Sequence, residues 1–251
     1  MNPLTVRDVV IGEGSPKICV PIVAHTAKEL EESLAQVART EDDMVEFRAD
    51  FYFEEDAGAL KRIREAVGNC PLVYTIRTSE EGGEIEIPED EYEARILQAA
   101  PLIDLADIQL QRLHMDTQNG QLHSRIIPRL HEAGVKVIGS WHCFTHTPDV
   151  HQMIGKMKAM QEEDCDISKI AVMPQNRSDV VKLILASLEM MDRHADRPYI
   201  TMSMGSLGRI TRAGASFTGS CISFGMAGES SAPGQIPASQ LRQVLRVLEC
   251  R

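Results

Sequence analysis

The sequence predicts an α/β fold, a closed (β/α)8 TIM barrel, and three observations carry that prediction. Short apolar runs rich in strand-forming residues alternate with amphipathic stretches along the whole 251-residue chain. Eight such runs occur, and hydrophobicity within each is nearly continuous, as in parallel strands buried on both faces. No Gly-x-Gly-x-x-Gly follows the first run, which removes the main signature of an open dinucleotide-binding sheet. A closed ring in a chain of this length fits the count better than an open doubly wound sheet.

In chain order, strands are predicted at residues 17–23, 44–48, 71–77, 105–110, 135–142, 167–173, 199–204 and 220–224. Helical stretches lie between them at 27–39, 57–67, 89–100, 122–133, 150–163 and 178–194, with a short piece near 207–213 and a last helix at 238–250. Residues 4–12 form a small hairpin closing the barrel bottom. Gly12-Glu-Gly14 precedes a strand and reads as a hairpin turn rather than a phosphate cradle. No repeat, linker or low-complexity segment marks a boundary, so residues 1–251 are expected to form a single domain.

With 43% hydrophobic and 25% charged residues the chain can bury a full core. The net charge of -11 argues against a nucleic-acid or anionic-membrane surface, since both require a cationic face. Residues 1–8 lack the basic-then-apolar pattern of a signal peptide, and no run approaches the ~18 apolar residues of a membrane span. A soluble, cytoplasmic protein is expected. The six cysteines include no C-x-x-C pair and read as reduced thiols. His142, His146 and His151 do not make the i, i+4 pair of helical zinc sites, so no metal is expected.

Lys169 lies inside the sixth apolar run and His142 closes the fifth. An ordinary lysine, with a pKa of about 10.4, is neutral in roughly one molecule in a few thousand at pH 7. Burial and neighbouring cations would favour the nucleophilic amine. The plainer alternative is a strand-end lysine snorkelling to solvent. Strand alternation puts Met44, Glu46 and Arg48 on one face, likewise Val73, Thr75 and Arg77, likewise Lys136, Ile138, Ser140 and His142. Lys169 shares its face with Ile167 and Ala171, and Met202 with Met204. Glu46, Arg48, Arg77, His142 and Lys169 thus converge on the barrel mouth, where enzymes of this fold keep their active sites. Ion pairs that merely plug the barrel are the competing account. In the loops, Gly82 and Gly83 let the stretch carrying Glu81 turn tightly, while Arg212 could clasp a carboxylate with Ser231 and Gln235 beside it.

Five segments in this order closely resemble the type I 3-dehydroquinate dehydratases: Glu46-Phe-Arg48-Ala-Asp50; Arg77 with Glu81-Gly-Gly-Glu84; Ser140-Trp-His142-Cys-Phe144 with Thr147-Pro148; Lys169-Ile-Ala-Val-Met-Pro174; and Met202-Ser-Met204 through Arg212 to Ser231-Ala-Pro-Gly-Gln235. The resemblance implies a (β/α)8 barrel, usually a homodimer. It would dehydrate 3-dehydroquinate to 3-dehydroshikimate, in aromatic biosynthesis or quinate breakdown, without metal or organic cofactor. It implies Lys169 as the Schiff-base residue, His142 as general acid/base and Glu81 as its positioner. Glu46, Arg48 and Arg77 would hold ring hydroxyls, and Arg212, Ser231 and Gln235 the carboxylate and adjoining groups. The chain departs from the pattern at Cys143, where many relatives have aspartate, at Gln109, often glutamate, at Pro21, serine in some members, and at Gly205–Gly208. Cys143 is expected to point away from the pocket. Rival readings are another Schiff-base barrel of the class I aldolase kind and a non-catalytic binding barrel.

Overall fold

The computed structural model describes residues 1–54, 58–113, 116–117, 120–121, 123–228 and 232–249. Strands β1 (Leu4–Val6) and β2 (Val9–Ile11) pair antiparallel. Then follow β3 (Lys17–Ile22), α1 (Ala27–Val37), β4 (Met44–Arg48), α2 (Ala59–Val67), β5 (Leu72–Thr75), α3 (Glu89–Ala99), β6 (Leu105–Gln109) and α4 (Leu110–Leu113). Next come the two-residue β7 (Asp116–Thr117) and β8 (Gly120–Gln121), α5 (His123–Glu132), β9 (Lys136–Cys143), α6 (Val150–Glu162), β10 (Ile167–Val172) and α7 (Arg177–Glu189). The chain ends with β11 (Tyr199–Ser203), α8 (Gly205–Ala213), α9 (Ala215–Thr218), β12 (Ile222–Met226), β13 (Ile236–Pro237) and α10 (Ala238–Val247).

The eight predicted strands are β3, β4, β5, β6, β9, β10, β11 and β12. Each pairs in parallel with its predecessor from β3 to β11, and β12 returns to pair with β3. At the β11–β12 seam the Cys221 N–H donates to the Tyr199 carbonyl at 2.9 Å and the Thr201 N–H to Ser220 Oγ at 3.1 Å. The sheet therefore curls into the predicted barrel. Its strands show the two-sided burial that parallel sheets need: Val20, Val45 and Val137 pack outward against the helices, while Cys19, Met44, Val73, Leu105, Ile138 and Ile167 fill the interior.

Val6 and Ile11 of the hairpin join that interior cluster, so the hairpin seals the amino-terminal end. Its tip is at Arg7 and Asp8, not at Gly12–Gly14 as the sequence suggested. Those glycines, with φ of 91° and 67°, instead turn the chain from β2 into β3, a left-handed path that glycine adopts without strain. Below the strands, three aspartates each reach across to the preceding strand. Asp43 accepts the Ile18 N–H at 2.7 Å, Asp104 that of Leu72 at 2.9 Å, and Asp166 that of Val137 at 2.8 Å.

Most differences from the predicted elements are at boundaries. The third strand stops at Thr75, and the Asn176-capped α7 ends at Glu189, continuing as a π-helical turn over Met190–His194. The short α4, α9 and the β7–β8 pair carry too few residues to show a period and were not predicted. Predicted helix ends at 57, 122 and 250 lie outside the described residues.

Candidate active site

At the carboxyl ends of the barrel strands a pocket open to solvent is lined by Lys169, His142, Arg212 and Gln235. Strand register builds its centre. Ser140 of β9 pairs beside Lys169 of β10, and His142 lies one pleat further toward the mouth, beside Ala171. Lys169 is only 4% exposed, which sets aside a snorkelling lysine. Its Nζ donates to Asp107 Oδ2 at 2.8 Å, stands 3.8 Å from Glu46 Oε1, and lies 4.4 Å from the centroid of the Phe224 ring.

Asp107 is the residue that sequence reasoning missed. Fully buried on β6, it accepts from Arg77 Nη2 at 2.7 Å and from Ser140 Oγ at 2.5 Å as well as from Lys169. Burial alone would push its carboxyl up, but Arg77 and Lys169 outweigh that and hold it far below the usual carboxylate range. The expected lysine among arginines is thus corrected: a carboxylate stands between Lys169 and Arg77. Arg77 is engaged within this network, donating also to Ser140 Oγ at 2.9 Å and lying 3.4 Å from Glu81. Although burial opposes its charge, Asp107 and Glu81 raise its pKa.

The loop after β5 brings Glu81 inward. It forms a 3-10 turn over Ser79–Glu81 and continues through Gly82 at φ 79°, where a Cβ would strike the Phe144 ring, and Gly83, where a Cβ would lie 1.9 Å from the Arg77 carbonyl oxygen. Glu81 Oε2 accepts the His142 backbone N–H at 3.1 Å and lies 2.9 Å from ring Nδ1. An oxygen already accepting one N–H orients the ring with its proton on Nδ1, which leaves the Nε2 lone pair for chemistry. Burial, then the positive charges of Arg77 and Lys169, push the imidazole well below its ordinary pKa, so it is neutral at pH 7. Burial pushes Glu81 up to about 7 against the pull of Arg77.

Arg212, on α8, is 2% exposed and has no acidic partner among the described residues. Nη1 meets Met202 Sδ and Nη2 the Pro233 carbonyl, each at 3.4 Å, while Nε has no partner. Burial lowers its pKa to about 10. A buried cation left this way calls for an anion from outside. Glu46 accepts from Thr75 Oγ1 at 2.8 Å, and Arg48 grips Asp50 through two bonds of 2.9 and 2.7 Å while its guanidinium lies over Phe51.

Of the departures, Cys143 does point away from the pocket, its Sγ 3.4 Å from His146 Nδ1. Gln109 accepts the Thr78 N–H at 2.9 Å and donates to Thr78 Oγ1 at 3.0 Å, anchoring the root of the Glu81 loop. Pro21 pairs in register beside Glu46. Gly208 is required by close packing, since a Cβ there would lie 2.1 Å from the Ser203 carbonyl oxygen. Ser231 lies outside the described residues. Among the described residues no group of three His, Cys, Asp or Glu side chains could hold a metal ion, and no helix is long and apolar enough to cross a membrane.

Fold and site together define a (β/α)8-barrel enzyme centred on a buried lysine and a partly buried histidine. Comparison with known proteins narrows that class. The sequence profile of type I 3-dehydroquinase matches residues 18–250, and the chain belongs to that family. A 3-dehydroquinate dehydratase from Syntrophotalea carbinolica is 42% identical over 99% of this chain and 98% of its own, and one from Clostridium kluyveri is 40% identical over 97% and 96%. Among solved structures, a type I 3-dehydroquinate dehydratase from Clostridium difficile, crystallised with covalently modified comenic acid, superposes with a TM-score of 0.91 at 37% identity, covering 98% of each chain.

Proposed function

We propose that the protein dehydrates 3-dehydroquinate to 3-dehydroshikimate through a Schiff base on Lys169, with His142 as general acid and base. The observation that carries this reading is the pairing of a buried amine with a neutral, Glu81-oriented imidazole on adjacent strands, beside an arginine with no acidic partner among the described residues. The covalently modified ligand of the Clostridium difficile relative supports covalent capture in such a pocket.

The steps follow from the chemistry. Arg212, with Gln235 and Ser231, holds the substrate carboxylate, and Glu46, Arg48 and Arg77 face the ring hydroxyls. Lys169, after passing one proton to His142, adds to the ring ketone, and the carbinolamine loses water as that proton returns to its hydroxyl, leaving a protonated iminium, a stronger electron sink than the carbonyl. His142 Nε2 removes the adjacent proton, forming an enamine. The enamine electrons then expel the hydroxyl, which leaves as water with the proton that His142 returns. Water finally hydrolyses the iminium, releasing the conjugated product and the protonated amine of Lys169. Protein incubated with 3-dehydroquinate should generate enone absorbance; no absorbance change with folded protein would rule the activity out.

The same reading places the reaction in the shikimate pathway, in the cytoplasm, with residues 1–251 acting as one domain in a homodimer that needs neither metal nor organic cofactor. Light scattering checks the dimer. Undiminished turnover after chelator treatment checks the absence of a metal.

A further inference from the structure

Asp107 stands apart from the site residues discussed above because no substrate group is needed to explain its contacts. Three donors from three different strand ends or loops converge on one fully buried carboxylate: Lys169 Nζ at 2.8 Å, Arg77 Nη2 at 2.7 Å and Ser140 Oγ at 2.5 Å. We propose that Asp107 is a fixed counter-ion for the Lys169 nitrogen, a positioning residue that stays ionised throughout the reaction, stabilises the protonated iminium and does not serve as the base that frees the amine. The inference rests on the Schiff-base reading above.

Charge balance gives the reason. Capture of the ketone is, overall, R–NH3⁺ plus O=C giving R–NH⁺=C plus H2O. One positive charge sits on nitrogen before and after, so one rigid negative charge beside it suits both states. When His142 takes the adjacent carbon's proton, the positive charge passes from nitrogen to the imidazole. When the hydroxyl departs as water with that proton, the charge returns to nitrogen and to Asp107. A carboxylate gripped by Arg77 and Ser140 cannot swing away or readily accept a proton during these steps. The ring of Phe224, 4.4 Å from Nζ, adds a second fixed electrostatic contact to the same cation. Other titratable groups face this pair from the packed elements: Cys19 on β3, Glu46 and Arg48 on β4, Arg77 and Glu81 after β5, Tyr92 on α3 and His142 on β9. Of the described carboxylates, Asp107 is the one within hydrogen-bonding distance of Nζ.

The test is the pH dependence of adduct formation with 3-dehydroquinate and cyanoborohydride, read by mass spectrometry for wild type, Asp107→Asn and Asp107→Glu. Without the counter-ion the ammonium is less favoured, so in Asp107→Asn the acid limb of trapping moves to lower pH by about one unit or more. Turnover should fall at least about tenfold at every pH. Asp107→Glu should return the acid limb toward the wild-type position. Superimposable trapping profiles in wild type and Asp107→Asn would reduce Asp107 to a structural anchor and overturn the inference while leaving the Schiff base intact. No adduct in wild type would overturn the Schiff base and this role with it. A measurement free of variants covers a misfolded Asp107→Asn: in wild type carrying 15N-lysine and bound to a carboxylated cyclic ketone that lacks the leaving hydroxyl, the imine nitrogen shift should report the protonated form from pH 6 to pH 9. A neutral imine titrating within that range would contradict the proposal.

Discussion

The two ends of the barrel are both rich in charge, and they use it in opposite ways. At the amino-terminal end Asp43, Asp104 and Asp166 each accept a backbone N–H from the neighbouring strand and each meet basic side chains: Arg242 at 2.8 Å, Arg7 and Arg64 at 2.6 and 2.8 Å, and His131 and Lys136 at 2.8 and 3.3 Å. These carboxylates tie the strands together. At the carboxyl end the charges are more deeply buried, yet Glu81 Oε1 and Arg212 Nε have no partner, and Glu81, His142 and Arg212 all have displaced pKa values. Among the described residues, these three carboxylates at the amino-terminal end are all paired and only Arg64 Nε there lacks a partner, whereas at the carboxyl end a carboxylate oxygen and an arginine with no acidic partner are left for a ligand.

The contrast can be broken by mutation. The largest effect should come from His142→Ala, which lowers turnover about 10²–10⁴-fold while substrate is still captured on Lys169; unchanged turnover would remove the histidine from its role. Arg212→Met should raise KM about 10²-fold and leave the protein as stable as wild type or more so, because an unpaired buried cation is removed. Calorimetry showing a large loss of stability would instead make Arg212 part of the scaffold. Asp104→Ala should do the reverse, costing about 2–4 kcal/mol in urea unfolding by orphaning the Leu72 N–H and two arginines, with kcat/KM within about threefold of wild type.

The smallest effect is a pH signature at the carboxyl end. Glu81 titrates near 7 in the fold rather than near 4.5, so the folded state binds the extra proton between those values and stability falls as pH rises through that window. His142 is displaced the other way, so its contribution is lost as pH falls below about 6.5. Compared with wild type, Glu81→Gln should therefore gain stability on going from pH 5 to pH 8. A parallel pair of stability curves would show that Glu81 is not displaced.

Strand alternation made much of this legible from sequence. Glu46, Arg48, His142 and Lys169 all lie on the predicted inward face because a two-residue period admits only two orientations. Asp107 shares the inward parity of Leu105, but a single acid inside a five-residue strand reads as part of an apolar run. Its importance emerges only when three partners from other strands are placed around it. Glu81 belongs to a loop, where period says nothing; its inward turn depends on Gly82 and Gly83. The hairpin tip was displaced for a similar reason, since Arg7 takes a φ of 52° that its residue type does not announce.

The central claim is that Lys169 captures the substrate ketone. Borohydride reduction in the presence of 3-dehydroquinate, followed by peptide mass spectrometry, tests it directly: the account predicts a single adduct on the peptide containing Lys169, absent from Lys169→Ala. Folded, active protein with no adduct, or with the adduct on another lysine, would contradict it.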